Sequence, residues 1–161
     1  MTLFDTHAHY DDEAFDADRD AVLAAFDGLV IDPGCTLASS QTAVDLAARH
    51  PHVYAAVGIH PENCGDFVPE HMDALRQLAR EPKVVAIGEI GLDYYWPENP
   101  PRDFQQQVFR AQLELALELD LPVIVHDREA HGDSLAIVKE YPALRGVFHC
   151  YSGSAAMPRE L

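Results

Sequence analysis

Residues 5 to 9 read DTHAH, so two histidines stand two residues apart directly after the apolar pair Leu3-Phe4. In an extended chain, residues i and i+2 project to the same side with Cα atoms about 6.6 Å apart, which lets His7 and His9 grip one metal ion. Four more apolar runs lead into residues of ligand type: Ile59-His60-Pro61, GEIGLD with Glu89 and Asp93, VHDR with His126, and FHCYS with His149. Neutral imidazoles with a carboxylate suit Zn²⁺ or Mn²⁺, whereas Mg²⁺ prefers more oxygen. A carboxylate can also bridge two ions about 3.5 to 4 Å apart, and such a pair acidifies a water between them and clamps both the attacking and the leaving oxygen of a phosphoester. That chemistry requires no protein nucleophile.

A single histidine beside apolar residues is usually a hydrogen-bonded core or surface residue. His50, His52, His71 and His131 fit that description, at a helix end, in a loop, on a polar helix and in the loop after the fifth apolar run. The other set differs because it recurs at the same end of separate runs.

Those runs are the elements that must position the chemistry. Segments 2–6, 28–33, 53–59, 84–90, 122–126 and 146–150 are short, rich in Val and Ile, and predict buried strands. Between them, helical spacing covers 16–26, 37–49, 70–80, 104–119 and 133–141; the longest of these sets Phe104, Val108, Leu113, Leu115 and Leu119 broadly on one side. Five alternations of strand and helix followed by a sixth strand predict right-handed βαβ units and a mainly parallel sheet. Neither GxGxxG nor GxxxxGK[ST] follows any strand, which removes the usual nucleotide-binding signatures of the doubly wound class. In a parallel barrel, active sites are assembled from the C-terminal ends of several strands, where the histidines of this sequence fall.

The rest of the composition sets limits. The 161 residues, 48% of them hydrophobic, predict one soluble domain over 1–161. Apolar runs are far shorter than the roughly 20 residues of a membrane helix, and no basic-then-apolar leader opens the sequence. Three scattered cysteines, Cys35, Cys64 and Cys150, suit a reducing compartment, so the expectation is a cytoplasmic protein without a membrane partner. A net charge of −16 disfavours tight, non-specific nucleic-acid binding. It leaves a nuclease possible, because bound divalent cations reverse the local potential in a cleft; affinity for a polyanion should then depend on those ions.

The blocks FDTHAH (4–9), VGIHPE (57–62), AIGEIGLDYYW (86–96), QQQVFRAQLELALELDLPVIVHDREA (105–130) and GVFHCYSGS (146–154) occur in order along nearly the whole chain. Together they resemble the TatD-type metal-dependent deoxyribonucleases of the amidohydrolase superfamily. The resemblance implies a TIM (β/α)8-type barrel, present here as about six of its eight βα units, with two divalent ions (Zn, Mn or Mg) and DNA as substrate. It also implies that His7 and His9 bind the first ion, that Glu89 bridges both, and that His126 and His149 complete the second. His60 would line the substrate site, and Asp93 and Tyr94 would lie close by in support; Glu89, His60 and Asp93 are the catalytic candidates. In the family, the last strand supplies an aspartate that binds the first ion and accepts a proton from the attacking water, and no residue of this sequence corresponds to it. The chain therefore reads as C-terminally incomplete, with little nuclease activity expected unless a second chain or a swapped copy completes the barrel. Two other readings remain. One is an amidohydrolase acting on another ester or amide; many of these bridge their ions with a carboxylated lysine on strand four, where this sequence has Glu89, while Lys83 and Lys139 lie outside the predicted strand ends. The other is an inactive metal-binding fragment that needs a partner chain.

Overall fold

Each apolar run forms a strand, and each strand pairs in parallel with the next. The structure, a computed structural model, describes residues 3–154; Thr2, at the start of the first predicted strand, lies outside them. The strands are β1 (Leu3–Asp5), β2 (Gly28–Pro33), β3 (Val53–Val57), β4 (Val84–Asp93), β5 (Val123–Arg128) and β6 (Gly146–Phe148), in the spatial order β1-β2-β3-β4-β5-β6. The helices are α1 (Arg19–Ala25), α2 (Leu37–Arg49), α3 (Glu70–Leu78), α4 (Arg102–Leu119) and α5 (His131–Lys139). This is a partial TIM barrel, a curled sheet of six strands with β1 and β6 at its edges among the described residues.

The main core lies between the sheet and the helices, where Leu46, Val57, Ile87, Ile90, Phe109, Leu113 and Leu115 are buried. A smaller cluster of Ala56, Ala86 and Ile124, backed by Ile31, lines the concave side. Near Phe4, Leu29, Tyr54 and Val147 that side opens into a cleft of about 540 Å³.

The predicted elements are present, with shifted ends that matter for the site. β1 and β3 stop at Asp5 and Val57, so His7, His9 and His60 stand just past their strands. β4 runs three residues beyond the predicted end, to Asp93, which makes both Glu89 and Asp93 strand residues. The first helix begins at Arg19 instead of residue 16, because Asp12 caps a separate 3-10 turn at Glu13–Phe15 by accepting from the Ala14 N–H.

Two glutamines seven residues apart on α4 account for the regular rim. Gln112 is fully buried; its Oε1 accepts from the Ile59 N–H at 2.7 Å, and its Nε2 donates to the Ile59 carbonyl at 3.0 Å. Gln105 treats Asp93 in the same way, accepting from its N–H at 2.9 Å and donating to its carbonyl at 3.0 Å. A side-chain amide thus replaces the missing ladder partner at the ends of β3 and β4, where buried backbone groups would otherwise lack hydrogen bonds. Gly91, with φ 144°, faces His126 so closely that a Cβ would come 2.0 Å from its carbonyl oxygen. Only glycine permits both that dihedral and that approach.

Candidate metal centre

The ladder continues upward from each strand and sets the histidines. The Ala8 N–H donates to the Ile31 carbonyl beyond the end of β1, which carries His7 and His9 over the rim, and the His7 N–H donates to Oδ1 of Asp5. The His60 N–H donates to the Cys35 carbonyl, the Glu89 N–H to the Gly34 carbonyl and the His149 N–H to the Val125 carbonyl. His126 lies within β5, opposite Gly91.

These five histidines gather around one carboxylate. Glu89 is 3% exposed, and its two oxygens divide the rings between them. Oε2 faces Nε2 of His7 at 3.3 Å and Nε2 of His9 at 3.6 Å. Oε1 faces Nδ1 of His126 at 3.0 Å, Nε2 of His149 at 3.1 Å and Nε2 of His60 at 3.9 Å. Burial works to raise the Glu89 carboxyl, but hydrogen bonds from His126, His149, His7 and His9 outweigh it and hold the group far below the usual carboxylate range. It is ionised at any ordinary pH.

The donor set suits cations. Nε2 of His7 and Nε2 of His9 approach to 3.1 Å, and with Glu89 they form a group whose ligand atoms lie within 4.8 Å of one another. His60, Glu89 and His126 form a second such group. His149 closes the ring from β6, stacked on His7 with centroids 3.7 Å apart and planes 3° apart. One carboxylate oxygen per imidazole group is the arrangement a bridging ligand needs, and nitrogen donors of this kind suit Zn²⁺ or Mn²⁺.

Supporting contacts fix individual rings. Oδ2 of Asp93 meets Nε2 of His126 at 2.9 Å, while Oδ1 accepts from the Tyr95 N–H and from Nδ2 of Asn99. His126 thus donates from both ring nitrogens, Nε2–H to Asp93 and Nδ1–H to Glu89, and these bonds outweigh burial and raise the ring above the usual imidazole range. With an ion bound, the Asp93 contact would keep the proton on Nε2 and turn the Nδ1 lone pair to the metal, as carboxylate–histidine pairs commonly do. Burial, then the neighbouring His126, pushes His60 down to about 4, so it is neutral at pH 7. Its Nδ1 accepts from the Glu62 N–H at 3.3 Å, which leaves the ring proton on Nε2, towards the centre. Hydrogen bonds with Asp11 and then Glu89 raise His9 to about 10. Tyr94 turns outward, its hydroxyl donating to Asp133 and accepting from Gln106.

His50 and His52 lie apart from the centre, bound to Asp20 and to the Leu23 carbonyl. His131 pairs with the buried Asp127 at 2.6 Å. Sequence reasoning passed over Asp11 and Asp32, which lie beside His9. The signal for Asp32 was present, since an aspartate inside the apolar segment 28–33 needs a reason to be buried. Asn99, Gln105 and Gln112 were also missed, and for the glutamines the signal was a polar residue repeated every seven positions on an otherwise apolar helix face.

A parallel half-barrel whose C-terminal rim gathers imidazoles around a bridging-type carboxylate has the architecture of a TIM-barrel protein built around a metal centre. The model of the TatD related DNase family matches residues 4–161, and the chain belongs to that family. It is 38% identical over 164 residues to a Bacillus subtilis protein named as the uncharacterized metal-dependent hydrolase YabD, covering 98% of this chain and 64% of that one. It is 37% identical over 159 residues to the 3′-5′ ssDNA/RNA exonuclease TatD of Salmonella typhimurium, covering 94% of this chain and 60% of the relative. The crystal structure of YJJV, a TatD homologue from Escherichia coli, superposes with a TM-score of 0.89 at 34% identity, over 98% of this chain and 63% of that one. The chain thus spans about three-fifths of the length of these relatives. Among the described residues, no helix is long and apolar enough to cross a membrane.

Proposed function

We propose that this single domain hydrolyses phosphodiester bonds of single-stranded DNA with two divalent ions. The observation that carries the reading is the division of the imidazoles by Glu89, His7 and His9 on Oε2 and His126, His149 and His60 on Oε1. His7, His9 and Glu89 would hold one ion, and Glu89, His126 and His149 the other; when bound, such ions polarise a phosphoryl oxygen and acidify a water. Asp93 is a positioning residue that keeps His126 in one tautomer. His60, neutral and with its proton on Nε2, lines the substrate site as a hydrogen-bond donor.

Three features favour a nucleic-acid substrate. The Salmonella relative is named as a single-strand exonuclease. The lysines that would allow the carboxylated-lysine bridge of other amidohydrolases are absent from strand four, where Glu89 stands. Beside the rim, Tyr95 and Trp96 are 49% and 42% exposed, and the Arg128 guanidinium lies 4.0 Å from the Tyr95 ring centroid, a stacking surface open to an unpaired base. The unpaired edges of β1 and β6 among the described residues agree with a second chain or a swapped copy as the partner that completes the barrel.

The test is cleavage of an end-labelled single-stranded oligonucleotide by metal-stripped chain, with Zn²⁺ or Mn²⁺ added back, across a range of chain concentrations. Cleavage should require the ion and vanish in Glu89→Gln. No cleavage at any concentration, or cleavage that survives Glu89→Gln, overturns the proposal.

A further inference from the structure

On the side of His9 away from Glu89 lies a second set of ligand-type atoms that the centre leaves unused. The His9 ring turns Nε2 towards His7 and Glu89, while Nδ1 on its other edge stands 3.5 Å from Oδ1 of Asp11. Asp32, near the end of β2, completes the set: one ligand atom from each of His9, Asp11 and Asp32 lies within 4.8 Å of the others. Asp32 is 0% exposed, and neither of its carboxylate oxygens has a hydrogen-bond partner. Oδ1 of Asp11 is likewise buried, and the His9 Nδ1 at 3.5 Å is its one side-chain neighbour among these contacts.

A carboxylate removed from water without hydrogen bonds is costly, and a second one beside it adds repulsion. His9 and Arg19 relieve the pair only through space, and burial and the Asp11 charge still hold the Asp32 carboxyl above its usual range. The Arg19 guanidinium donates to the main-chain oxygens of Tyr10, Asp11 and Asp12 and to the Asp16 carboxylate, so it shapes the loop that carries Asp11 and gives no hydrogen bond to Asp32. Two adjacent carboxylates with free oxygens are satisfied by a shared proton or by a hard cation, which takes one or two carboxylates and retains several waters.

We propose that Asp11 and Asp32 form a separate divalent-cation site, adjoining the histidine-rich centre through His9 and selective for oxygen-preferring ions such as Mn²⁺ or Mg²⁺. His9 serves the pair from the side through its Nδ1–H, since Nε2 is turned to Glu89. The site lies at the β1–β2 end of the rim, and it shares no residue with the set of Glu89, His126 and His149.

Counting bound Mn²⁺ by electron paramagnetic resonance on metal-stripped full chain tests this directly. Asp32→Asn, nearly isosteric, should bind one Mn²⁺ fewer than the wild type. Glu89→Gln, which disables the histidine-rich centre, should keep the Mn²⁺ that Asp32→Asn loses. Equal stoichiometry in wild type and Asp32→Asn, or loss of all bound Mn²⁺ in Glu89→Gln, overturns the assignment. Because the site is counted by binding, a chain without hydrolytic activity leaves this test intact. Should Asp32→Asn fail to fold, wild-type crystals soaked in Mn²⁺ decide: an anomalous peak about 2 to 2.6 Å from oxygens of both Asp11 and Asp32 is expected. Its absence at saturating Mn²⁺ means that the carboxylates share a proton instead, and the proposal falls.

Discussion

Replacing Gln112 with leucine keeps the side-chain volume and deletes the two hydrogen bonds, at 2.7 and 3.0 Å, that hold the main chain of Ile59 at the end of β3. Ile59 is 4% exposed and Gln112 0%, so no water replaces the lost partners. A buried N–H or C=O left unsatisfied costs about 1 to 3 kcal/mol. Two such groups, less roughly 1 kcal/mol regained from the added apolar burial, give a net loss of about 3 kcal/mol. For a domain of this size that corresponds to a fall in Tm of roughly 6 to 12 °C. Melting followed by far-ultraviolet circular dichroism, with and without divalent ions, measures it. Gln112→Glu should do no better, because a carboxylate still accepts from the Ile59 N–H but cannot donate to its carbonyl and adds a buried charge. If Gln112→Leu melts within about 2 °C of the wild type, the amide is not what ties β3 to α4.

Four other outcomes follow from the same structure. Ions that bind only the folded chain should raise its stability by about 2.7 kcal/mol at a hundredfold excess over Kd, and Glu89→Gln should erase most of that gain; a melting temperature indifferent to chelator refutes the metal centre. Burial pushes the Cys64 thiol up to about 11 and the Cys35 thiol higher still, whereas Cys150 is exposed. At pH 8 about a thousandth of Cys64 is thiolate, so Ellman's reagent should titrate one thiol quickly and the other two only on unfolding; three fast thiols would contradict this. Gly91→Ala should fail to accumulate as folded protein, since the new Cβ would sit 2.0 Å from the His126 carbonyl oxygen, and a variant with wild-type melting would show that β4 and β5 can separate there. Trp96→Ala should weaken binding of a single-stranded oligonucleotide by about 5- to 150-fold without changing the melt, and unchanged binding would remove the stacking surface from the substrate path.

Strand and helix alternation was legible because a parallel sheet covered by helices needs continuous apolar runs, and those are visible one segment at a time. The ligand types at the strand ends were legible for the same reason: an apolar run that stops at a histidine marks both the strand and its end. Less visible was what lies between elements. Gln105 and Gln112 read as interruptions in an apolar helix face until α4 is seen to pass behind the ends of β3 and β4. Asp32 read as one polar residue in a strand, and its partner Asp11 is 21 positions away, close only because the Ala8 N–H extends the β1–β2 pairing past the strand.

The grouping of the histidines depends on curvature, which no local pattern encodes. β1 and β6 are the edges of the sheet, yet His7 and His149 stack at 3.7 Å. A flat sheet of six strands would hold them about five strand spacings apart, roughly 24 Å. Right-handed twist and the close approach of β4 to β5 at Gly88 and Gly91 curl the sheet until side chains carried just past its two edge strands meet over the rim. Glu89, on the fourth of the six strands, then stands where both groups of rings can reach it, one on each oxygen. Variants that open the curl yet still fold should therefore separate His7 from His149 and reduce ion binding even when every ligand residue is retained, the same loss that Glu89→Gln reaches by removing the shared carboxylate.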